Sequence, residues 1–136
     1  MTGYVIDASV AAKWVLAEEG SERAATLFSH RLLGPDLLFV ECANIFWKAV
    51  RRGRLTDAEA LQGLEIIAAT GIGAVPSAPL LGGALRRANR LGHPVYDCLF
   101  LETAAHVGLP LVTADRRLLA LAGEGAQVLH LSDLPA

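Results

Sequence analysis

A mostly parallel α/β sheet with helices on both faces is the fold class this 136-residue sequence predicts. Three observations carry that expectation. Tyr4-Val5-Ile6-Asp7 is a short β-branched run that ends in a carboxylate just as a helical pattern begins. Leu109-Pro110-Leu111-Val112-Thr113-Ala114-Asp115 repeats the arrangement near the other end. Between them, helical patterns outnumber and separate the strand patterns, as crossovers between parallel strands require. Ligands bind outside the carboxyl ends of the strands in open α/β sheets. If the two runs are parallel neighbours, Asp7 and Asp115 share that edge, and Ser9 brings a hydroxyl within reach of it.

Taken in order, residues 8–17 read as a helix with Val10, Trp14 and Ala17 on one stripe, ended by Glu18-Glu19-Gly20. Ser21 is expected to cap a second helix running to about Leu33, with Gly34-Pro35 stopping it. Residues 37–40 are apolar and fit either a strand or the entry to a helix. Residues 41–52 are helical, with Ile45, Phe46, Ala49 and Val50 apolar and Gly53 as terminator. Thr56 and Glu59 form a capping box that opens a helix to about Thr70. Residues 73–76 are a brief strand candidate. A helix over 79–91 follows, weakened by Gly82 and Gly83 and broken by Gly92-His93-Pro94. Residues 96–107 are helical, the strand to Thr113 comes next, and a short helix (116–121) and a last strand (127–129) close the chain.

The length is that of one ordinary domain, 1–136. With 53% hydrophobic and 19% charged residues, it can bury a full core and is not a disordered chain. A mean hydropathy of +0.41 is high for a chain of this size and predicts apolar surface covered by a second copy or another protein. No apolar run reaches a membrane span, because Lys13, Asp36, Glu41, Lys48 and Glu102 interrupt the candidates. The first residues lack a basic segment followed by an apolar one, so no secretory signal is expected. Cys42 and Cys98 have no metal-finger spacing and read as reduced, buried thiols of a cytoplasmic protein.

A net charge of −2 does not look like a nucleic-acid binder. Setting four of the 14 acids aside as a metal site, however, leaves 10 against 12 basic residues. All of those but Lys13 and Lys48 are arginines, most of them clustered at 51–54, 86–90 and 116–117, and arginine suits bidentate phosphate contacts. Solvated helix faces are the bland account of each cluster.

Glu41 and Asp97 each follow a short apolar stretch, in Leu38-Phe39-Val40-Glu41 and Pro94-Val95-Tyr96-Asp97. Either alone is an ordinary first-turn acid favoured by the helix dipole. Four acids in the same topological position, Asp7, Glu41, Asp97 and Asp115, are harder to dismiss. Converging carboxylates raise one another's pKa unless a cation neutralises them. Hard oxygen donors without a Cys or His cluster suit Mg²⁺ or Mn²⁺. The chemistry that follows is metal-assisted hydrolysis of a phosphodiester, with a carboxylate taking the proton of the attacking water.

These motifs, Val5-Ile6-Asp7-Ala8-Ser9, Val40-Glu41-Cys42-Ala43-Asn44, Tyr96-Asp97-Cys98 and Leu111-Val112-Thr113-Ala114-Asp115, resemble the PIN-domain ribonucleases, and among them the VapC-type toxins of bacterial toxin–antitoxin pairs. The resemblance covers essentially the whole chain. Each motif is short and unspecific alone; the ordered set, with successive acids 34, 56 and 18 positions apart, is strong. It implies a three-layer PIN domain over 1–136 and a Mg²⁺- or Mn²⁺-dependent ribonuclease acting on RNA. It implies that Asp7, Glu41, Asp97 and Asp115 are the metal-binding quartet, with Asp7 and Asp97 as direct ligands. Ser9 and Thr113 match the family's supporting hydroxyls. Asn44 either lines the site or is an ordinary polar helix residue. The family also implies a VapB-type antitoxin that blocks the site.

Arg116 and Arg117 follow Asp115 directly and are expected to hold the RNA backbone, with Arg86, Arg87 and Arg90 as a second candidate rim. A homodimer is expected from the apolar content. His106 is expected to pair with Glu102 on a helix surface. No histidine is a good general base. Trp14, Phe46 and Trp47 read as core, or as a groove for an amphipathic partner. Two other readings compete. A receiver or phosphatase would need a lysine near the last strand or an Asp-x-Asp after the first, and the chain has neither. A non-catalytic PIN-like module would keep the acids only to bind a partner.

Overall fold

The computed structural model describes residues 3–123 and 125–135. Five strands form one sheet: β1 (Gly3–Ile6), β2 (Arg31–Pro35), β3 (Gly73–Val75), β4 (Leu111–Thr113) and β5 (Val128–His130). Seven α-helices connect them: α1 (Ala8–Ala11), α2 (Ser21–Ala25), α3 (Leu37–Arg51), α4 (Asp57–Ala69), α5 (Leu81–Leu91), α6 (Val95–Val107) and α7 (Arg116–Leu119). Every strand pair is parallel and the order is β3-β2-β1-β4-β5.

That order fixes the layers. The chain moves from β1 out to β2 and β3, then returns across the sheet to β4 and β5. Right-handed crossovers in opposite directions place their helices on opposite faces, so α1 to α4 cover one side and α5 to α7 the other. The contacts agree: α1 packs on α3, α3 on α4, and α5 on α6. A parallel sheet must be covered on both faces, which is why Val5, Ile6, Leu111 and Val112 have no exposed surface at all. The reversal of direction falls between β1 and β4, where Val5 pairs with Leu111 and Ile6 with Val112. The crevice beyond the carboxyl ends of these two strands is the topological switch point where such sheets bind ligands. A receiver has the order 2-1-3-4-5; the order here excludes that reading.

The capping box stands as expected, with Thr56 Oγ1 accepting from Glu59 N and Glu59 Oε1 accepting from Thr56 N. The strands at 73–75, 111–113 and 128–130 lie where the sequence predicts them. Residues 37–40 are the entry to α3. Two expectations fail. The helix over 8–17 is shorter: α1 ends at Ala11 and a single 3-10 turn carries the chain to Trp14. There the indole Nε1 donates to the Ala24 carbonyl at 2.9 Å, and Ser21 Oγ donates to Leu16 O at 2.9 Å, drawing the chain into α2. The helix from Ser21 to Leu33 stops at Ser29, and residues 31–35 are the strand β2. Arg31-Leu32-Leu33 has no β-branched residue to announce a strand. Pairing with β1 on one side and β3 on the other imposes it. Gly34 is not a helix stop either. A Cβ there would come within 3.2 Å of the Leu38 side chain and 3.3 Å of the Ile6 carbonyl, so its absence lets the start of α3 close onto the end of β1.

Candidate active site

Asp7 follows β1 without a spacer and is the N-cap of α1. Its Oδ1 accepts from Val10 N at 3.2 Å, as an aspartate cap should, and from the Ser9 hydroxyl at 2.6 Å. Its Oδ2 accepts from the Thr113 hydroxyl at 2.5 Å, across from the last residue of β4. Thr113 Oγ1 in turn accepts from Asp115 N at 2.9 Å, and Ser9 Oγ accepts from Ala114 N at 3.0 Å. Three side chains thus stitch the ends of β1 and β4 together at the switch point. Asp7 is buried, and burial pushes its carboxyl up to about 6. The bonds from Ser9, Thr113 and Val10 pull the other way, and the charge of Asp115 adds to the rise.

Asp115 is likewise an N-cap, of α7. Its Oδ1 accepts from Arg117 N at 2.9 Å and its Oδ2 lies 3.3 Å from the Arg117 guanidinium. The two arginines expected to act as a pair therefore separate. Arg117 folds back on Asp115, whereas Arg116 makes no hydrogen bond or ion pair among the described residues. The second candidate rim also divides. Arg86 and Arg90 are exposed, but Arg87 is buried and pairs with Glu102 at 3.4 Å. This replaces the expected surface pair of Glu102 with His106.

Glu41 sits in the second turn of α3, because the helix begins four residues earlier than expected, at Leu37. The dipole fades beyond the first turn, so the ordinary account of this acid does not hold. Its carboxyl is pushed up to about 7, by burial first and then by the charges of Asp97 and Asp7. Asp97 is in the first turn of α6 as expected. Its Oδ2 lies 2.6 Å from His93 Nε2, a contact the sequence reading missed. The signal was available: His93 and Asp97 are four residues apart across the start of a helix. Asn44 is exposed on α3, one turn beyond Glu41. Cys42 and Cys98 are buried as expected, and burial pushes the Cys42 thiol up to about 12, so it is inert.

The four acids feel one another in a chain: Asp115 with Asp7, Asp7 with Glu41, Glu41 with Asp97. Among the described residues, no three His, Cys, Asp or Glu side chains stand close enough to cage one ion as they lie. The donor set still fits a hard divalent cation, because Mg²⁺ takes only one or two carboxylates directly and keeps its waters. The four acids supply oxygen donors, with His93 as the one nitrogen seen in contact with them, and burial together with their mutual charge holds Asp7 and Glu41 above the usual carboxylate range.

The family model for the PIN domain matches residues 4–124. A ribonuclease VapC3 from Pyrobaculum aerophilum is 36% identical over 118 residues, covering 84% of this chain and 90% of that protein. Among solved structures, PAE2754 from P. aerophilum superposes with a TM-score of 0.76 at 28% identity, over 96% of this chain and 90% of that one. A toxin–antitoxin complex from Klebsiella pneumoniae has a TM-score of 0.68 at 11% identity, over 96% of this chain and 99% of that one, and bears on the fold alone.

Proposed function

The chain belongs to the PIN domain family, in its VapC branch, and from that premise we propose that it hydrolyses RNA phosphodiester bonds at the edge formed by Asp7, Glu41, Asp97 and Asp115. The observation that carries the reading is the buried Asp7 carboxylate, fixed by Ser9 and Thr113 at the β1–β4 switch point and coupled by charge to the other acids. In this reading Asp7 and Asp97 bind a divalent cation, Mg²⁺ or Mn²⁺, while Glu41 and Asp115 complete its surroundings. When bound, such an ion lowers the pKa of a water and offsets charge on the leaving oxygen. The protein's own part is orientation and proton handling. Ser9 and Thr113 hold Asp7 in one rotamer. Glu41, half-buried with a pKa near 7, accepts the proton of the attacking water. Buried Cys42 and Cys98 offer no competing nucleophile.

The reading extends to partners and place. The VapC3 relative supports the reading as a VapC-type toxin, which carries with it a VapB-type antitoxin as partner and the cytoplasm as place of action. No helix of the described residues is long and apolar enough to cross a membrane. A homodimer is supported by exposed Val40, Leu81 and Tyr96 around an apolar groove that Leu37, Val95 and Leu99 line. The test is RNA cleavage by the purified chain with Mg²⁺, with Mn²⁺ and with chelator, beside the Asp97→Asn variant. Cleavage that survives chelation, or full activity in Asp97→Asn, refutes the assignment. Light scattering at micromolar concentration checks the dimer.

A further inference from the structure

Beside the carboxylate edge lies a second concavity of about 440 Å³, walled by Lys13, Arg23, Arg116, His130, Ser132 and Glu19. Its size falls in the range of sites for small ligands, roughly 300–1,000 Å³. Three of its side chains are cationic and one is a carboxylate. Ala114 also lines it, and the Ala114 amide is the group bonded to Ser9, so cavity and edge share a wall.

Its donors differ in how far they are committed. Lys13 Nζ is bonded to Glu18 Oε1 at 3.1 Å and to the Glu19 carbonyl at 2.7 Å. Arg23 donates to the Leu134 carbonyl through one guanidinium nitrogen. Arg116 is uncommitted. His130 is fixed in an informative way: its Nδ1 accepts from Ser132 N at 3.1 Å and lies 2.6 Å from Ser132 Oγ. A backbone N–H can only donate, so Nδ1 is the acceptor and the neutral ring carries its proton on Nε2. That N–H has no partner among the described residues. The cavity therefore holds an unpaired guanidinium fork and an unpaired imidazole N–H, with two further cations behind them.

We propose that this cavity is a phosphate-holding subsite, in which Arg116 and His130 bind a phosphodiester of the RNA strand next to the one cleaved. The inference rests on the reading of the chain as an RNA hydrolase and goes beyond it by naming where the strand continues. The strand leaves the acidic edge past Ala114 and enters this concavity, where cations outnumber carboxylates. A planar fork and a fixed N–H donor suit a phosphate better than a single ammonium would. Arg117, paired with Asp115, takes no part.

The experiment measures binding apart from cleavage. Fluorescence anisotropy of a labelled single-stranded RNA, in chelator at several salt concentrations, compares the full chain with Arg116→Ala, His130→Ala, His130→Gln and Arg117→Ala. Arg116→Ala is expected to weaken binding about tenfold and to flatten the logarithmic salt slope by about 0.7, the value of one lost phosphate contact on a single strand. His130→Ala should weaken binding about threefold with no change of slope, and His130→Gln, which keeps a donor, should recover most of that. Arg117→Ala should change little. With metal restored, Arg116→Ala should raise KM and leave kcat unchanged. Unchanged affinity and slope in the Arg116→Ala, His130→Ala double variant overturns the subsite. So does a loss of adenosine 5′-monophosphate binding in these variants with RNA binding intact, which would assign the cavity to free nucleotides. RNA binding with the expected dependence but no cleavage under any metal refutes the hydrolase reading and leaves the subsite standing.

Discussion

Asp7 and Asp115 sit at the ends of adjacent strands and are held by hydrogen bonds that run within the edge itself; Glu41 and Asp97 ride on α3 and α6 and are held by where those helices pack. In the first half Ser9, Thr113 and four backbone amides, those of Val10, Ala114, Asp115 and Arg117, form the network that settles each carboxylate's direction. In the second half Glu41 makes no hydrogen bond among the described residues, and Asp97 meets only His93. The strand half is therefore organised before any ligand arrives. The helix half has the charge in place and its side chains free to turn. An edge so built can receive ions of slightly different size on a fixed anchor, which is a reason to place the direct ligand role on Asp7 first.

Asp7→Asn removes charge from the strand half where the carboxylate is held most firmly. We expect RNA cleavage to fall by at least about 10²-fold, with the circular dichroism of the folded chain retained. The same substitution at Asp97 should do likewise if, as proposed, each half supplies a charge to the site. Activity that survives in one half only would show that the site is smaller than four acids.

Thr113→Val tests the anchoring directly, because it keeps shape and removes one donor. Cleavage should drop about 10–100-fold, the range for groups that orient a metal ligand. Stability should fall by about 1–3 kcal/mol, since a buried acceptor loses its partner. Urea unfolding gives the second number. A stability loss without an activity loss would make the bond structural only.

Acidity acts on both halves of the metal-free protein in the same direction, reaching a higher pH in the helix half. Folding raises Asp7 from 3.8 to about 6 and Glu41 from 4.5 to about 7. The folded state then binds more protons than the unfolded state between about pH 4 and 7, so stability falls as pH rises through that window. The contribution is full below pH 4 and gone above 7. Thermal melts in chelator should show a lower Tm at pH 8 than at pH 5 from these two groups. Glu41→Gln should remove the upper part of the fall, from pH 6 to 7, and leave the lower part to Asp7. Added Mn²⁺ should raise Tm more at pH 8 than at pH 5. A flat profile would mean that the acids are solvated and do not converge.

The smallest effect is expected for His93→Ala. Asp97 keeps its place on α6 without that contact, so cleavage should change less than about tenfold. A loss as large as that of Thr113→Val would show that the helix half is anchored as firmly as the strand half.

The carboxylates were legible in the sequence because each stands next to its own signal: an apolar run that stops at an acid where a helical pattern starts. Parallel pairing followed from the helices between the strands. β2 was not legible. Its Leu-Leu-Gly-Pro looks like a helix end, and only the neighbours on both sides make it a strand. The role of Arg87 was hidden for a similar reason: its partner Glu102 lies on another helix. The basic cavity draws on α1's 3-10 extension, α2, α7 and β5, four segments that no local pattern connects. Arg116 and Arg117 look equivalent in sequence and are told apart only by which of them the Asp115 cap engages.

The bond between Thr113 and Asp7 joins residues 106 apart in the chain. During synthesis, β1 emerges first, and Asp7 then waits, without its Oδ2 partner, while six α-helices and two strands are made. Chains grow at about 5–20 residues per second, so the interval is on the order of 5–20 seconds. Only when β4 slides in between β1 and the incoming β5 does the carboxylate gain its final direction. The central strand is thus the earliest part of the sheet, and the working site is among the last things to exist. For a chain that cleaves RNA, that order gives any inhibitor made alongside it a head start. A nascent chain that has not yet reached β4 lacks Thr113 and Asp115, and with them one side of the carboxylate edge.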